Sequence, residues 1–398
     1  MSAAAPASSP SRRLRVLQVI TRLGLGGAEK VSLALVHGLR SEIDFAVFTV
    51  NGLGPDAVGA GMAAELAAAS IPWFRGTRLT VKRGGMITGG LALARAIRRF
   101  RPDIVHFHAE TAEICGAVMA CLPAGVPRPA LVRTIHNSVF WRYWPRFGRW
   151  CDHRLAHAHI AGVSEAALAE FFRYRTDSGA PAAPSPPTVI YNGIDLPLLP
   201  PRAAPDDPAV RRVLFAGRLE PQKGTDILAA ALPQVVLPPD VRGELFILGH
   251  GAQAPLLTAL AAQPPPGWRI EVRPPVAHLP QLLPTFDLMV MPSRFEGLGL
   301  VAVEATFCGT PIVATTAAGL NEALPATHPW LARPGDAPHL AAVLTDALRE
   351  TARWAPVTTA AQRFVAGRFA SAKMLDAYGR LYQAASPATE PVRPQRSH

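Results

Sequence analysis

The stretch VLFAGRLEPQKGTDIL, residues 213–228, decides the reading of the fold. Val213 to Ala216 form an unbroken apolar run, the mark of a strand buried on both faces. Gly217 opens a turn carrying Arg218 and Lys223, and Gly224-Thr225 starts a helical pattern for which Thr225 reads as N-cap. Strand, glycine turn and helix recur in both directions. Upstream, short apolar runs stand at residues 14–20, 45–50, 104–107, 131–135 and 159–163. Downstream they return at 245–248, 269–272, 288–291 and 311–314. This alternation predicts an α/β protein with parallel sheets and crossover helices.

Two proline-rich stretches, residues 180–187 and 196–208, flank TVIYNGID and divide the pattern in two. The expectation is two Rossmann-like domains facing a central cleft. The first spans residues 12–195, with a linker over 196–210 and the second domain over 211–354. A helical segment at 355–385 has no strand after it and is expected to brace the two. Residues 1–11 and 386–398 read as disordered tails. Such sheets bind ligands beyond the carboxyl ends of their strands, so a site is expected in the cleft.

Composition bounds the function. At 398 residues, 49% apolar and 17% charged, the chain has the makeup of a globular protein with two cores. Its net charge of +11 is uneven, with 23 Lys and Arg against 15 Asp and Glu in residues 1–210. A basic first half suits an anionic partner such as a membrane surface or a lipid pyrophosphate; it also fits mere solubility and arginine usage. The basic residues are dispersed and not striped with stacking aromatics, which argues against a nucleic-acid binder. Cys115, Cys121, Cys151 and Cys308 contain no C-x-x-C pair, so buried free thiols in a reducing cytoplasm are expected, not a zinc site. No apolar run reaches the ~18 residues of a membrane span, and MSAAAPASSPSRR lacks a signal peptide's apolar core. The expected location is cytoplasmic, with peripheral contact at the inner membrane face as an extension.

Four side chains carry the chemistry. Arg218 and Lys223 sit where a helix N-terminus already favours anions, and together they suit a diphosphate. Fixed cations there would stabilise the charge gained by a leaving nucleoside diphosphate. An exposed basic turn is the plain alternative. In SRFEGLGLVAVEATFCGTPIV, residues 293–313, Glu296 lies in a glycine-rich turn and Glu304 on the helix that follows. Their eight-residue spacing puts them about two helical turns apart on one side. The neighbours are mostly apolar, so each carboxylate needs a partner, and sugar hydroxyls suit them. The backbone of Gly297, Leu298, Gly299 and Leu300 can approach a phosphate closely.

The loop RLGLGGAEK, residues 22–30, fails the dinucleotide fingerprint, because Glu29 stands where its third glycine belongs. Gly26 and Gly27 still suit close approach to a ligand; a tight turn is the alternative. His106, His108 and His136 fall at strand ends. A structural role is expected to compete strongly for the first two. His136 ends a strand at the cleft and can bond a sugar hydroxyl or polarise a reacting group. The segment WRYWPRFGRW, residues 141–150, mixes aromatic residues with Arg142, Arg146 and Arg149. It reads as a seat on an anionic lipid surface or as an ordinary packed helix start, with Pro145 limiting the helix upstream.

In this order, GGAEK, PDIVHFH, TIHN, AGVSEAA, VIYNGID, FAGRLEPQKGTDIL, LGHG and the Glu296–Glu304 block resemble the retaining glycosyltransferases of family 4, over about residues 15–382. The resemblance implies the GT-B fold and transfer of a hexose-type sugar from a nucleotide diphosphate-sugar with retention. It implies no metal or other cofactor. It assigns Arg218 and Lys223 to the donor diphosphate, Glu296 to the donor sugar, Glu304 to the ribose, Gly26 and Gly27 to the cleft near the diphosphate, and His136 to the reacting sugar. A glycan or lipid-linked acceptor, in cell-surface polysaccharide or lipopolysaccharide synthesis, is the expected partner. An epimerase of the same fold and a non-catalytic glycan- or membrane-binding scaffold are the rivals. The chain departs from the family pattern at Ala318-Gly319, where two glycines often precede the late glutamate, and at Pro274-Pro275.

Overall fold

A computed structural model describes residues 12–386, apart from Leu25, Pro55, Asp56, residues 80–82, Pro123, Ala124, Val126, Arg142, Tyr143 and Ala277. The tail assignments for residues 1–11 and 387–398, and the placement of Arg142, lie outside the described residues.

Two parallel sheets form the two domains. The first contains β1 (Leu14–Ile20), β2 (Ile43–Thr49), β3 (Trp73–Arg75), β4 (Ile104–Phe107), β5 (Ala130–Ile135), β6 (His159–Gly162) and β7 (Thr188–Val189), in the order β3-β2-β1-β4-β5-β6-β7. The second contains β8 (Val210–Ala216), β9 (Arg242–Leu248), β10 (Trp268–Arg273), β11 (Leu288–Met291), β12 (Ile312–Thr315) and β13 (Leu331–Ala332), in the order β10-β9-β8-β11-β12-β13. Both orders reverse direction beside their first strand, between β1 and β4 and between β8 and β11. These switch points open a crevice at the strands' carboxyl ends, which is where the sequence motifs lie. The expected fold class, two Rossmann-like domains across a cleft, is the one observed.

Several details differ from the sequence reading. The helix after β8 begins at Thr225, and its N-cap is Gly224 at φ +66°; Thr225 is buried and directs its hydroxyl to Gln253. A Cβ on Gly224 would lie 1.9 Å from the Pro292 carbonyl oxygen, so close packing on the β11 exit loop excludes a side chain there. The helix carrying Glu304 starts only at Leu300, so Glu296 lies in the preceding loop and the eight-residue spacing is not helical. Cys121 is exposed, whereas the other three thiols are buried. The proline-rich linker packs on the second domain: Leu199 donates to the Phe307 carbonyl at 2.8 Å, and Arg202 bonds Asp287 at 2.7 Å. The C-terminal stretch is two helices, Trp354–Ala366 and Ser371–Ala385, and Ala370 in the connector between them forms a β-bridge with Ile194.

The domains share a core. Ile135, Ile160, Val163 and Phe171 of the first pack with Met289, Leu298, Ala302 and Phe307 of the second and with Val365 and Phe369. The helix Ser371–Ala385 returns to the first domain, where Met374, Tyr378 and Tyr382 join Val16, Ile20 and Val36.

Candidate active site

The cleft floor is built from turns that follow strands. After β11, Ser293 to Gly299 cross beneath the first domain and meet it directly. A Cβ on Gly297 would fall 1.9 Å from the His136 carbonyl oxygen, so only glycine permits this approach. Ser138 Oγ donates to the Glu296 carbonyl at 3.0 Å, and Ser164 Oγ donates to that of Gly297. Ser164 also caps its helix, Glu165–Ser178, by accepting from the Ala167 N–H at 3.0 Å. From the second domain Glu322 accepts from the N–H groups of Glu165 (2.9 Å) and Ala166 (2.8 Å) and from the Tyr191 hydroxyl (2.9 Å). A carboxylate on a helix N-terminus is stabilised by the free donors and the dipole there, so Glu322 ties the domains together.

Glu296 is 5% exposed and its carboxylate is fully engaged. Lys223 Nζ reaches Oε1 at 2.6 Å and Oε2 at 2.8 Å, and Ser293 Oγ donates to Oε1 at 2.7 Å. Glu304 meets a different lysine. Lys30, on the first-domain helix Gly27–Leu39, crosses the cleft to Oε1 at 3.0 Å, while the buried Oε2 has no partner. Arg218 is exposed at the cleft rim, with Gln222 accepting from it at 2.7 Å.

Two connected cavities result. One, of about 240 Å³, has mostly apolar walls that include Pro275, Val276 and Leu279, with Glu304 and Lys30 at one side. The other, of about 570 Å³, is lined by Thr21, Arg22, Glu29, His136 and Asn137 of the first domain and by Glu296 and the turn Gly297, Leu298, Gly299, Leu300 of the second. Arg218, Lys223, Gly26 and Gly27 line both and so stand at their junction. Asn192, from VIYNGID, lines the larger cavity, and its buried Oδ1 lacks a partner. Buried polar atoms are almost always satisfied, so Glu304 Oε2 and Asn192 Oδ1 are acceptors with unused capacity on residues that line the cavities. Burial raises the Glu29 carboxyl above its ordinary range, against the pull of Arg22 and Arg218.

The histidines divide as their surroundings dictate. His106 is fully buried between Tyr382 (2.8 Å) and Thr134 (2.6 Å), a structural position. His108 bonds Gln18 Oε1 at 2.6 Å through Nε2 and His136 Nε2 at 3.0 Å through Nδ1. Burial pushes all three below the usual histidine range, His136 to about 3, so the rings are neutral. With Gln18 accepting at His108 Nε2, His108 Nδ1 is an acceptor and His136 donates to it from Nε2. His136 thus stands in a fixed tautomer at the cavity wall.

The sequence reading missed Lys30, Ser138, Ser164 and Glu322 as cross-cleft contacts. Lys30 and Ser164 stood inside quoted motifs, but contact between domains leaves no local signal. Among the described residues no three of His, Cys, Asp or Glu converge as metal ligands, and no helix is long and apolar enough to cross a membrane. The segment around Trp141 splits by face: Trp141 is buried against Gly148, whereas Arg146 and Arg149 are exposed on the helix Pro145–Arg154.

Residues 25–197 match the family model described as Glycosyltransferase Family 4, and residues 210–350 match that of Glycosyl transferases group 1. The chain belongs to the family 4, group 1 glycosyltransferases of GT-B fold. A D-inositol 3-phosphate glycosyltransferase 1 of Catenulispora acidiphila is 34% identical over 250 residues, covering 56% of this chain and 58% of that relative. A D-inositol 3-phosphate glycosyltransferase of Xylanimonas cellulosilytica is 39% identical over 180 residues, 42% of this chain and 41% of that one. The chain thus matches under two thirds of the length of these relatives. Among solved structures, Anabaena HepE in complex with UDP-glucose aligns at TM-score 0.73 and 21% identity, over 94% of this chain and all of that one. Sucrose-phosphate synthase from Thermosynechococcus elongatus aligns at TM-score 0.74 and 18% identity, over 94% and 99%. At these identities the likeness is one of fold.

Proposed function

We propose that the chain transfers a hexose-type sugar from a nucleoside diphosphate-sugar to an acceptor hydroxyl, with retention of configuration. The observation that carries this reading is the position of Arg218 and Lys223 at the junction of an apolar slot and a polar cavity. In this reading the base lies against Pro275, Val276 and Leu279, the ribose diol meets Glu304, and the diphosphate lies between Arg218 and Lys223 beside Gly26 and Gly27. The sugar then projects into the larger cavity toward Glu296 and His136.

The bond from the anomeric carbon to the diphosphate breaks while the acceptor oxygen attacks from the same face, and the acceptor proton passes to the departing phosphate oxygen. Arg218 and Lys223 stabilise the charge that develops there. Lys223 is shared with Glu296, which holds it in place in the free protein and orients it toward the phosphate. Neutral His136 serves as a hydrogen-bonding group to the sugar and not as a cation. No step calls for a metal or another cofactor.

The acceptor in this reading is a hydroxyl-rich glycan, free or lipid-linked, in cell-surface polysaccharide or lipopolysaccharide synthesis. Arg22, a cation on that side, faces the carboxylate of Glu29, which suits a neutral acceptor better than a phosphate. The relatives named for D-inositol 3-phosphate make that compound the first alternative to try. Exposed Arg146 and Arg149 support peripheral contact with an anionic inner membrane face.

The test is thermal stability across UDP, GDP, ADP and their hexose conjugates without metal, followed by NMR of the product. Binding to the native state raises the melting temperature by mass action. A shift with one nucleotide, and an α-linked product from an α-donor, is the expected result. Donor consumed without acceptor indicates an epimerase, and no shift with any nucleotide indicates a scaffold.

A further inference from the structure

The pairing of Lys30 with Glu304 sets the ribose reading in a different light. Glu304 is on the second domain and is 7% exposed. Its carboxylate is held at one oxygen by an ammonium from the other domain, at 3.0 Å, and is bare at the second oxygen, which is buried. Lys30 is itself partly exposed, so its ammonium touches both water and the buried carboxylate. On the far side of the pair lies a separate cavity of about 190 Å³, lined by Asp195 and Pro280 among others. The Lys30–Glu304 contact is therefore the partition between the nucleotide slot and the back of the cleft.

We propose that Lys30 is a positioning residue for ribose recognition. It holds Glu304 Oε1 and thereby fixes the carboxylate so that Oε2 is left to accept from the ribose hydroxyls. A carboxylate without this partner rotates about its terminal torsion, which is broad, and loses its fixed aim. Discrimination of ribose from deoxyribose is then a property of both domains together, although every other contact proposed for the nucleoside comes from the second. This inference rests on the nucleotide-sugar reading above.

The experiment measures dissociation constants of UDP, GDP and ADP, each against its 2′-deoxy counterpart, by calorimetry. Wild type, Lys30→Met, Lys30→Arg and Glu304→Gln are compared. For the nucleotide that binds, the expected preference for ribose in wild type is about tenfold or more, since a buried acceptor left without its donor is costly. In Lys30→Met the preference falls to about twofold or less, and Lys30→Arg restores most of it. A merely structural lysine would weaken ribo- and deoxynucleotides alike and leave their ratio unchanged. A ratio retained in Lys30→Met but lost in Glu304→Gln overturns the role of Lys30 alone. A ratio untouched by Glu304→Gln, or no binding of any nucleotide by wild type, overturns the ribose assignment and the inference with it.

Discussion

Replacing Lys223 with methionine separates two roles that the structure joins. The substitution keeps the aliphatic stem and removes the ammonium that bonds both oxygens of Glu296, at 2.6 and 2.8 Å. Ser293 alone then remains for a carboxylate whose side chain is 6% exposed. Breaking a buried ion pair by removing one partner costs about 3–5 kcal/mol. Lys223 is 18% exposed, which favours the lower end, about 3 kcal/mol. The double variant Lys223→Met/Glu296→Gln removes the uncompensated charge and should return to within about 1 kcal/mol of wild type. Transfer behaves differently. Both variants lack the cation assigned to the leaving diphosphate, so both should lose about 10²–10³-fold in kcat. Urea unfolding followed by tryptophan fluorescence gives the stability cycle, and steady-state transfer gives the rates. The reasoning is refuted by a single variant as stable as wild type, or by a double variant whose stability loss equals the sum of the two single losses.

Three further outcomes follow from the geometry. Gly297→Ala puts a methyl group 1.9 Å from the His136 carbonyl and should open the cleft, with transfer reduced at least tenfold and increased proteolysis near residues 293–299. Glu322→Ala removes the acceptor for the first turn of the helix Glu165–Ser178 and should cost about 1–2 kcal/mol in thermal or urea unfolding. The depressed histidines set the pH response. An unfolded histidine binds its proton near pH 6.5 and His136 only near 3, so stability is full above about 6.5 and falls as pH drops through that window. The slope is up to about 1.4 kcal/mol per pH unit for each such histidine. His106→Phe should flatten it, as read from unfolding curves at pH 4.5, 5.5 and 7; an unchanged slope would mean that His106 titrates normally.

The fold was legible because parallel strands buried on both faces leave unbroken apolar runs. The strands Leu14–Ile20, Ile104–Phe107 and Leu288–Met291 match the runs read from sequence at both ends. The edges were less clear: β8 extends back to Val210 and β9 to Arg242, through arginines that cannot be told from loop by polarity. Arg211 is in fact buried, with its guanidinium on backbone carbonyls of Pro208, Val210 and Leu348. At the site, glycines and charges after strand ends pointed to the cleft, and Arg218, Lys223, Glu296 and Glu304 all line it. Which charge meets which was not legible. Lys223 with Glu296 and Lys30 with Glu304 are contacts across 73 and 274 residues, set by how strands and domains pack. The buried network of Arg133 with Glu113 and Asp152 was hidden for the same reason.

His136 is held by His108, His108 by Gln18, and Gln18 by the hydroxyl of Tyr382, at 3.0, 2.6 and 2.9 Å. Tyr382 and Tyr378, which bonds Thr134, belong to the helix Ser371–Ala385. The ring at the cleft wall is therefore oriented by residues more than 240 positions further along the sequence. During synthesis the first domain's strands can pair early, but their polar interior stays unsealed until residues 371–385 leave the ribosome. Shortened chains ending before that helix would retain most of both sheets and lack an aimed His136. The aim of this one ring is thus completed only after both sheets have been made, by a helix that follows them in sequence.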